Sequence, residues 1–337
     1  MSGVMIEAQG LTKQYGPQRA LDDATFDISR GEIVGFLGPN GAGKSTTMKI
    51  LTCFIAPTHG TAKINGCDIW KDPLGVRAAI GYLPESTPLY PEMLVAEYLE
   101  FMGEMRGLRG PALHKRIKTV VEETQLGSHY AKEIRQLSKG FKQRVGLAQA
   151  LIHEPPVLIL DEPLSGLDPN QMTDIRDLIR EIGKSRTVIF STHNLAEIEI
   201  SCTRVLCIAG GKLVLDATPE ALVHRKPLAG YELVVSGDAA AAEKAFRAVA
   251  GVTDVVQKGG GKLAVLVSNG RDVRHEIARA AQAAGVLVLE LVPMRPDLYE
   301  IFRELTTGST KSEIAARQLA SDDEDDDEED EDEDEDE

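Results

Sequence analysis

Long apolar runs are missing. The longest uncharged stretch of this 337-residue chain, Ile50–Ala62, contains Pro57, His59 and Gly60, so no membrane-spanning helix is expected. Met1–Gly10 has neither the basic start nor the apolar core of a secretory leader, and a cytoplasmic address is the expectation. Cysteine is scarce: Cys53, Cys67, Cys202 and Cys207 form no Cys-x-x-Cys pair and have no histidine at zinc spacing. That excludes a disulfide framework, and they read as reduced core thiols. The lone Trp70, and His153, read as packing residues.

A basic excess is also missing. Lys and Arg number 37 against 53 Asp and Glu, a net charge of −16, yet sixteen of the acids form the unbroken run Asp322–Glu337. Outside that run the two signs are equal, so the body is neutral. A broad nucleic-acid face needs a surplus of positive charge, and no nucleic-acid partner is expected. Within the acid run, charges two positions apart repel by about 0.6 kcal/mol per pair in water. The tail is expected to stay extended and disordered, as a solubilising brush or as a docking tail for a basic partner surface.

What is present is an apolar share of 42%, enough for a sizeable core, in a length that suggests two domains. Residues 4–36 alternate apolar and polar positions in short pieces and read as antiparallel strands, followed by Ile33–Leu37, apolar on both faces as in a buried strand. Helical spacing dominates residues 92–135, with Leu94, Tyr98, Phe101 and Met105 on one stripe. Val157–Leu160, a helix over Asn170–Ile182 and Thr187–Phe190 give strand, helix, strand, the grammar of a parallel α/β core. From about residue 228 the order is Tyr231–Ser236 strand, Ala239–Ala250 helix, Val252–Gln257 strand, Lys262–Ser268 strand, Val273–Ala284 helix and Val286–Val292 strand. That βαββαβ order predicts a small ferredoxin-like α+β domain over 228–305. Residues 306–337 read as a polar linker, helix-capable near Ile314–Leu319, and then the acidic tail.

The chemistry sits in the first part. Gly38-Pro39-Asn40-Gly41-Ala42-Gly43-Lys44-Ser45 matches the phosphate-loop pattern between a buried strand and a helix running from Lys44. Glycines allow the backbone to wrap an anion, and amides at the helix start, including Thr46, point at phosphate. Lys44 then reaches the β- and γ-phosphates, and Ser45 holds Mg²⁺. Asp161 and Glu162 end the buried run Val157–Leu160, where carboxylates face a ligand crevice. Asp161 suits the metal, and Glu162 suits the attacking water.

Leu137-Ser138-Lys139-Gly140-Phe141-Lys142-Gln143-Arg144, ahead of an apolar helix over Val145–Ile152, resembles the signature motif of ATP-binding cassette (ABC) ATPases. Pro163, Ser165-Gly166-Leu167-Asp168 and Ser191-Thr192-His193 extend the resemblance over about residues 4–225. Ile80-Gly81-Tyr82-Leu83-Pro84-Glu85 and the helical insert look most like ABC-2-type exporter subunits, including gliding-motility and multidrug-export ATPases. The resemblance implies an α/β P-loop NTPase cassette over 1–226, with a RecA-like parallel core, an antiparallel β subdomain and a helical subdomain at about 86–150. It implies ATP and Mg²⁺ as ligands, Tyr15 stacked on the base, and Asp168 at the nucleotide. His193 would sit on the γ-phosphate, and Ser138 and Gly140 would complete the site of a paired subunit in a homodimer. It also implies a separate integral membrane permease, contacted around Glu85, with the chain peripheral on the inner face of the membrane. Stacking tolerates any base, so ATP over GTP does not follow from Tyr15.

Three positions depart from the family pattern. Glu85 stands where glutamine is usual, near both metal and permease, and is counted among the catalytic and metal-binding candidates. Lys139 replaces a glycine, and Phe141 replaces a glutamine that would touch ribose. The alternative function is a soluble ABC ATPase acting on nucleic acid or ribosomes. Such proteins carry a long coiled-coil insertion or two cassettes, whereas this chain has one phosphate loop and no sustained heptads between Lys44 and Ser138. The C-terminal domain reads as a packing or regulatory unit.

Overall fold

The computed structural model describes residues 3–194, 197–198, 202–219, 221, 230–268 and 271–294. The linker, the piece near Ile314–Leu319 and the acid run lie outside the described residues. The chain divides into two compact units, with the boundary between Pro219 and Glu220.

In chain order, the first unit holds β1 (Val4–Tyr15), β2 (Gln18–Ser29), β3 (Ile33–Leu37), α1 (Lys44–Leu51), β4 (His59–Ile64), β5 (Cys67–Asp68), α2 (Pro73–Ala79) and β6 (Ile80–Leu83). It continues with α3 (Val95–Met105), α4 (Gly110–Glu123), α5 (Lys139–Leu151), β7 (Val157–Leu160), α6 (Pro169–Gly183), β8 (Thr187–Thr192), β9 (Arg204–Ala209) and β10 (Lys212–Ala217). One four-stranded sheet runs β2-β1-β4-β5, antiparallel throughout. A six-stranded sheet runs β10-β9-β3-β8-β7-β6, parallel except for β10.

Every residue of β3, β7 and β8 is buried, because both faces of the parallel sheet are covered. Alternate side chains feed different cores. Val34, Phe36, Val157, Ile159 and Ile189 join the antiparallel sheet and Met48, Ile50 and Leu51 of α1, while Ile33, Leu158, Leu160, Val188 and Phe190 join the helical insert. The carboxyl ends of β3, β7 and β8 are therefore the ends of a rigid, doubly packed layer, and loops leaving them are held from below.

In the signature region, α5 begins at Lys139, with Ser138 as its N-cap, six residues earlier than the helix expected from Val145. The apolar periodicity starts late because Gly140, Gln143 and Arg144 are buried although two of them are polar. One other expectation is corrected. Trp70 is 54% exposed and donates through its indole nitrogen to Gly60 O, so it is a surface residue. The four cysteines are free thiols as expected, Cys207 buried and Cys53, Cys67 and Cys202 half-buried against the cores.

The second unit holds β11 (Gly230–Ser236), α7 (Ala239–Arg247), β12 (Val252–Gly259), β13 (Lys262–Val267), α8 (Arg274–Ala283) and β14 (Leu287–Met294). Its antiparallel sheet runs β12-β13-β11-β14, and Phe246 and Ile277 of the helices pack on Tyr231, Leu233, Leu263 and Val265 on one face. α7 stops three residues short of the expected Ala250, and Gly251 turns the chain back with a φ of 100°.

Candidate nucleotide site

The loop of residues 38–43 leaves β3 and becomes α1. Gly43 has a φ of 111°, and a Cβ there would lie 2.5 Å from Ala20 O; a Cβ on Gly38 would lie 2.5 Å from Ile208 O. Only glycine fits at either place, so the loop is pinned between β2 and β9. The first turn of α1 contains no acid, and its N–H groups lack intrahelical partners, which favours an anion beside Lys44, Ser45 and Thr46.

Lys44 is 5% exposed; its Nζ donates to Gly38 O at 2.8 Å and Pro39 O at 3.2 Å, and stands 3.4 Å from Glu162 Oε1. Asp161 is 2% exposed and accepts from Ser45 Oγ at 3.1 Å and Ser191 Oγ at 2.6 Å. Ser191 Oγ also accepts from Glu162 N at 2.9 Å. Glu162 has a φ of 47°, a left-handed conformation that costs a non-glycine residue energy and marks a fixed position. The turn sends the neighbouring carboxylates apart: Asp161 meets two hydroxyls, and Glu162 meets Lys44 and His193, whose Nδ1 lies 2.8 Å from Glu162 Oε2.

Around these groups lies a cavity of about 520 Å³, lined by Tyr15, Asn40, Gly41, Gly43, Lys44, Ser45, Thr46, Glu85, Glu162 and His193 among others. Glu85, after β6, also borders an adjoining hollow of about 370 Å³ with Leu89, Lys139 and Lys142. Burial, with Asp161 and Glu85 nearby, pushes the Tyr82 hydroxyl far above its usual range and keeps it neutral. Among the described residues no group of three or more His, Cys, Asp or Glu could hold a metal alone. The Ser45 hydroxyl and the Asp161 carboxylate are hard oxygen donors, and Mg²⁺ is commonly held by one or two carboxylates with phosphate oxygens and water, so the pair fits a shared Mg²⁺ site.

Gly38, Pro39 and Ala42 belong to the loop without lining the cavity. Ser138, Gly140 and Asp168 lie away from it as well. Ser138 caps α5, accepting from Phe141 N at 3.4 Å, and Asp168 caps α6, accepting from Gln171 N at 2.9 Å. Gly140 is buried against Gln171. Phe141 is used within its own chain, its ring stacked on His129 with centroids 3.7 Å apart. Sequence reasoning gave Ser191 no role, although it stands two positions before His193; it is the hydroxyl that joins Asp161 to the backbone of Glu162. Gln18 and Ala20 also line the cavity without a prior signal, as does Ser165 of the segment Ser165-Gly166-Leu167-Asp168, to which sequence reasoning gave no individual role.

A family profile described as ABC transporter matches residues 21–165. Linearmycin resistance ATP-binding protein LnrL of Bacillus subtilis is 32% identical over 307 residues, 90% of this chain and 98% of that protein. The chain belongs to the ABC transporter family. Daunorubicin resistance ATP-binding protein DrrA3 of Streptomyces coeruleorubidus is 31% identical over 319 residues, 94% of this chain and 100% of that protein. A dimeric post-hydrolysis structure of the ATP-binding cassette MJ0796, bound to ADP and Pi, shares 25% identity at a TM-score of 0.58, covering 64% of this chain and 98% of that one. This ABC protein is accordingly an ATP-binding ATPase subunit that powers transport, of a kind that works as a dimer with a membrane permease. The reading as a nucleic-acid or ribosome ATPase is not favoured, since these relatives are named resistance ATP-binding proteins and the matching profile is that of ABC transporters. No helix among the described residues is long and apolar enough to cross a membrane.

Proposed function

We propose that this ABC protein hydrolyses MgATP in the Lys44 cavity and drives an ABC-2-type permease that exports small molecules, with the chain peripheral on the inner face of the cell membrane. The observation that carries the reading is the convergence of Tyr15, Lys44, Ser45, Glu85, Glu162 and His193, from separate segments, on one cavity of about 520 Å³. The resistance relatives support export of a drug-like cargo.

In this reading Tyr15, 48% exposed at the rim, stacks on the base. Loop and α1 amides from Gly38 through Thr46 cradle the phosphates, and Lys44 binds the β- and γ-oxygens. Ser45 and Asp161 would hold Mg²⁺, with Glu85 a further candidate ligand, and the ion would neutralise phosphate charge. Glu162 takes a proton from the attacking water as its oxygen bonds to the γ-phosphorus and the bond to the bridging oxygen breaks, releasing ADP and phosphate. His193 orients Glu162 and bonds the γ-phosphate. Ser138, Gly140 and Asp168, off the cavity of their own chain, complete the site of the paired subunit. Residues 1–226 form the cassette and 228–305 a ferredoxin-like domain, a reading supported by the antiparallel order β12-β13-β11-β14 with both helices on one face. The acidic tail serves as a solubilising brush or docks a basic partner surface.

Calorimetric titration of ATP into wild type should register heat that is lost in Lys44→Ala, and a tagged chain drawn from detergent-solubilised membranes should bring down a polytopic protein. Equal heats in both proteins would reject the nucleotide assignment; recovery of ribosomes without a membrane protein would reject the permease.

A further inference from the structure

The second unit leaves the face of its sheet opposite α7 and α8 uncovered by any described element of that unit. On that face Val256 is 45% exposed and Val292 is 44% exposed, and a hollow of about 270 Å³ lies among Glu232, Lys258, Lys262 and Glu290. Isolated exposed apolar residues are ordinary, but here Val256 and Val292 share one row of the sheet.

The charges are sorted by strand. With the order β12-β13-β11-β14, Lys258 and Lys262 occupy one half of the face and Glu232 and Glu290 the other. Register fixes them along the strands as well. Val234 pairs with both Lys262 and Glu290, which puts those two opposite charges in one row. The next row runs Val256, Ala264, Glu232, Val292. Within one copy, Lys258 reaches across small Ala264 to pair with Glu232.

We propose that a second copy of this chain covers this face, related by a two-fold axis that lies parallel to the strands between β13 and β11. The operation lays the β12–β13 half over the partner's β11–β14 half and keeps each row in place. Val256 on β12 then meets the partner's Val292 on β14, Lys258 lies over the strand that carries the partner's Glu290, and Lys262 on β13 faces the partner's β11, one strand away from that Glu290. A two-fold axis across the strands would set like-charged halves over each other, so the charge layout selects the first arrangement. At about 4.8 Å between strands and 3.4 Å per residue the face is roughly 15 by 20 Å. Two such faces total roughly 600 Å², below the size of a standard protein interface, so the contact is weak by itself. It requires no nucleotide, and it stands or falls separately from the ATP-dependent pairing proposed above.

Sedimentation of the full, nucleotide-free chain up to about 100 µM, at about 0.15 M salt to screen the tails, tests it. The wild type should be a dimer at the upper concentrations. Lys258→Glu with Lys262→Glu, and separately Glu232→Lys with Glu290→Lys, should each weaken self-association at least tenfold, and an equimolar mixture of the two should recover it as a heterodimer. Recovery on mixing cannot arise from two misfolded proteins. A wild type that stays monomeric, charge variants that self-associate as wild type does, or a mixture that stays monomeric would each overturn the proposal. So would a chain ending at Met294 that dimerises where the full chain does not, because the segment after β14 would then be the cover. ATP-induced pairing of Glu162→Gln, run alongside, reports the cassette contact and leaves the nucleotide-free result to the sheet.

Discussion

The nucleotide cavity and the open face of the C-terminal sheet both carry acids and bases, but they hold them in opposite ways. In the cavity Lys44 and Asp161 are 5% and 2% exposed, and each has several partners within 3.4 Å. On the sheet Glu232 and Lys258 are each about half exposed and have chiefly one another. Buried polar groups with satisfied bonds are fixed in position, whereas an exposed ion pair contributes only about 0–1 kcal/mol and its use lies in matching another surface. Chemistry belongs to the buried, fully bonded charges and association to the exposed ones. That makes Glu162 the residue with the most to lose: Glu162→Gln should cut ATP hydrolysis by about 10²–10⁴-fold while ATP still binds and a closed dimer accumulates. Full turnover in that variant would break the comparison at its strongest point.

The next effect separates the two regions as folding units. Phe246 is fully buried in the C-terminal core, and Phe246→Ala should cost that unit about 3–5 kcal/mol. So small a domain has little stability to spare, and the unit should unfold near room temperature while ATP affinity stays at the wild-type value. Thermal unfolding with and without ATP checks this, since only the cassette transition should move with nucleotide. A loss of ATP binding in Phe246→Ala would show that the regions are not separate.

Much of the cavity was legible in the chain because phosphate chemistry requires particular residues at short spacing. The loop over 38–45, the acids at the end of β7 and His193 after β8 each follow a run of buried strand residues, and the structure brings them together. Ser191 was not legible, because its importance is a pair of bonds to Asp161 and Glu162, thirty or so positions away in sequence. The start of α5 was missed for a related reason: Gln143 and Arg144 are polar in sequence but buried, Gln143 bonding to Pro163 O and Arg144 to Thr124 O. Trp70 misled because a large ring was read as a packing residue, whereas it is more than half exposed and its indole nitrogen donates to Gly60 O. The order of elements in the C-terminal unit was visible as alternating strand and helix patterns, but which face of its sheet stays open depends on both helices packing on the same side.

Ser191 gives the third effect. Ser191→Ala removes the hydroxyl that steadies Asp161 and Glu162 together, and supporting groups of this kind are typically worth 10–100-fold, so hydrolysis should fall by about that factor. Lys258→Ala on the sheet, by contrast, should change the stability of its unit by less than about 1 kcal/mol. If the two substitutions had equal effects on their own regions, burial would not be what distinguishes them.

The smallest effect concerns the cassette interior away from the nucleotide. His153, just past α5, is half-buried; its Nε2 lies 3.0 Å from Ile80 O at the start of β6, and its Nδ1 is buried without a partner. Burial, reinforced by the charge of Arg106, holds its pKa down at about 4 against an ordinary 6.5. The folded protein thus keeps the ring neutral at pH values where the unfolded chain already takes up a proton. Stability from this residue is complete above about pH 6.5 and drains away as pH falls toward 4, because the unfolded state binds more protons across that window. His153→Gln keeps a donor for Ile80 O but cannot titrate, so urea unfolding at pH 7 and pH 5 should show a smaller loss for the variant than for wild type. Carboxylates elsewhere titrate alike in both proteins and cancel in the difference. Identical losses would mean that the imidazole is protonated as readily in the fold as out of it, and that the strand leading to Glu85 is anchored by something other than a neutral histidine.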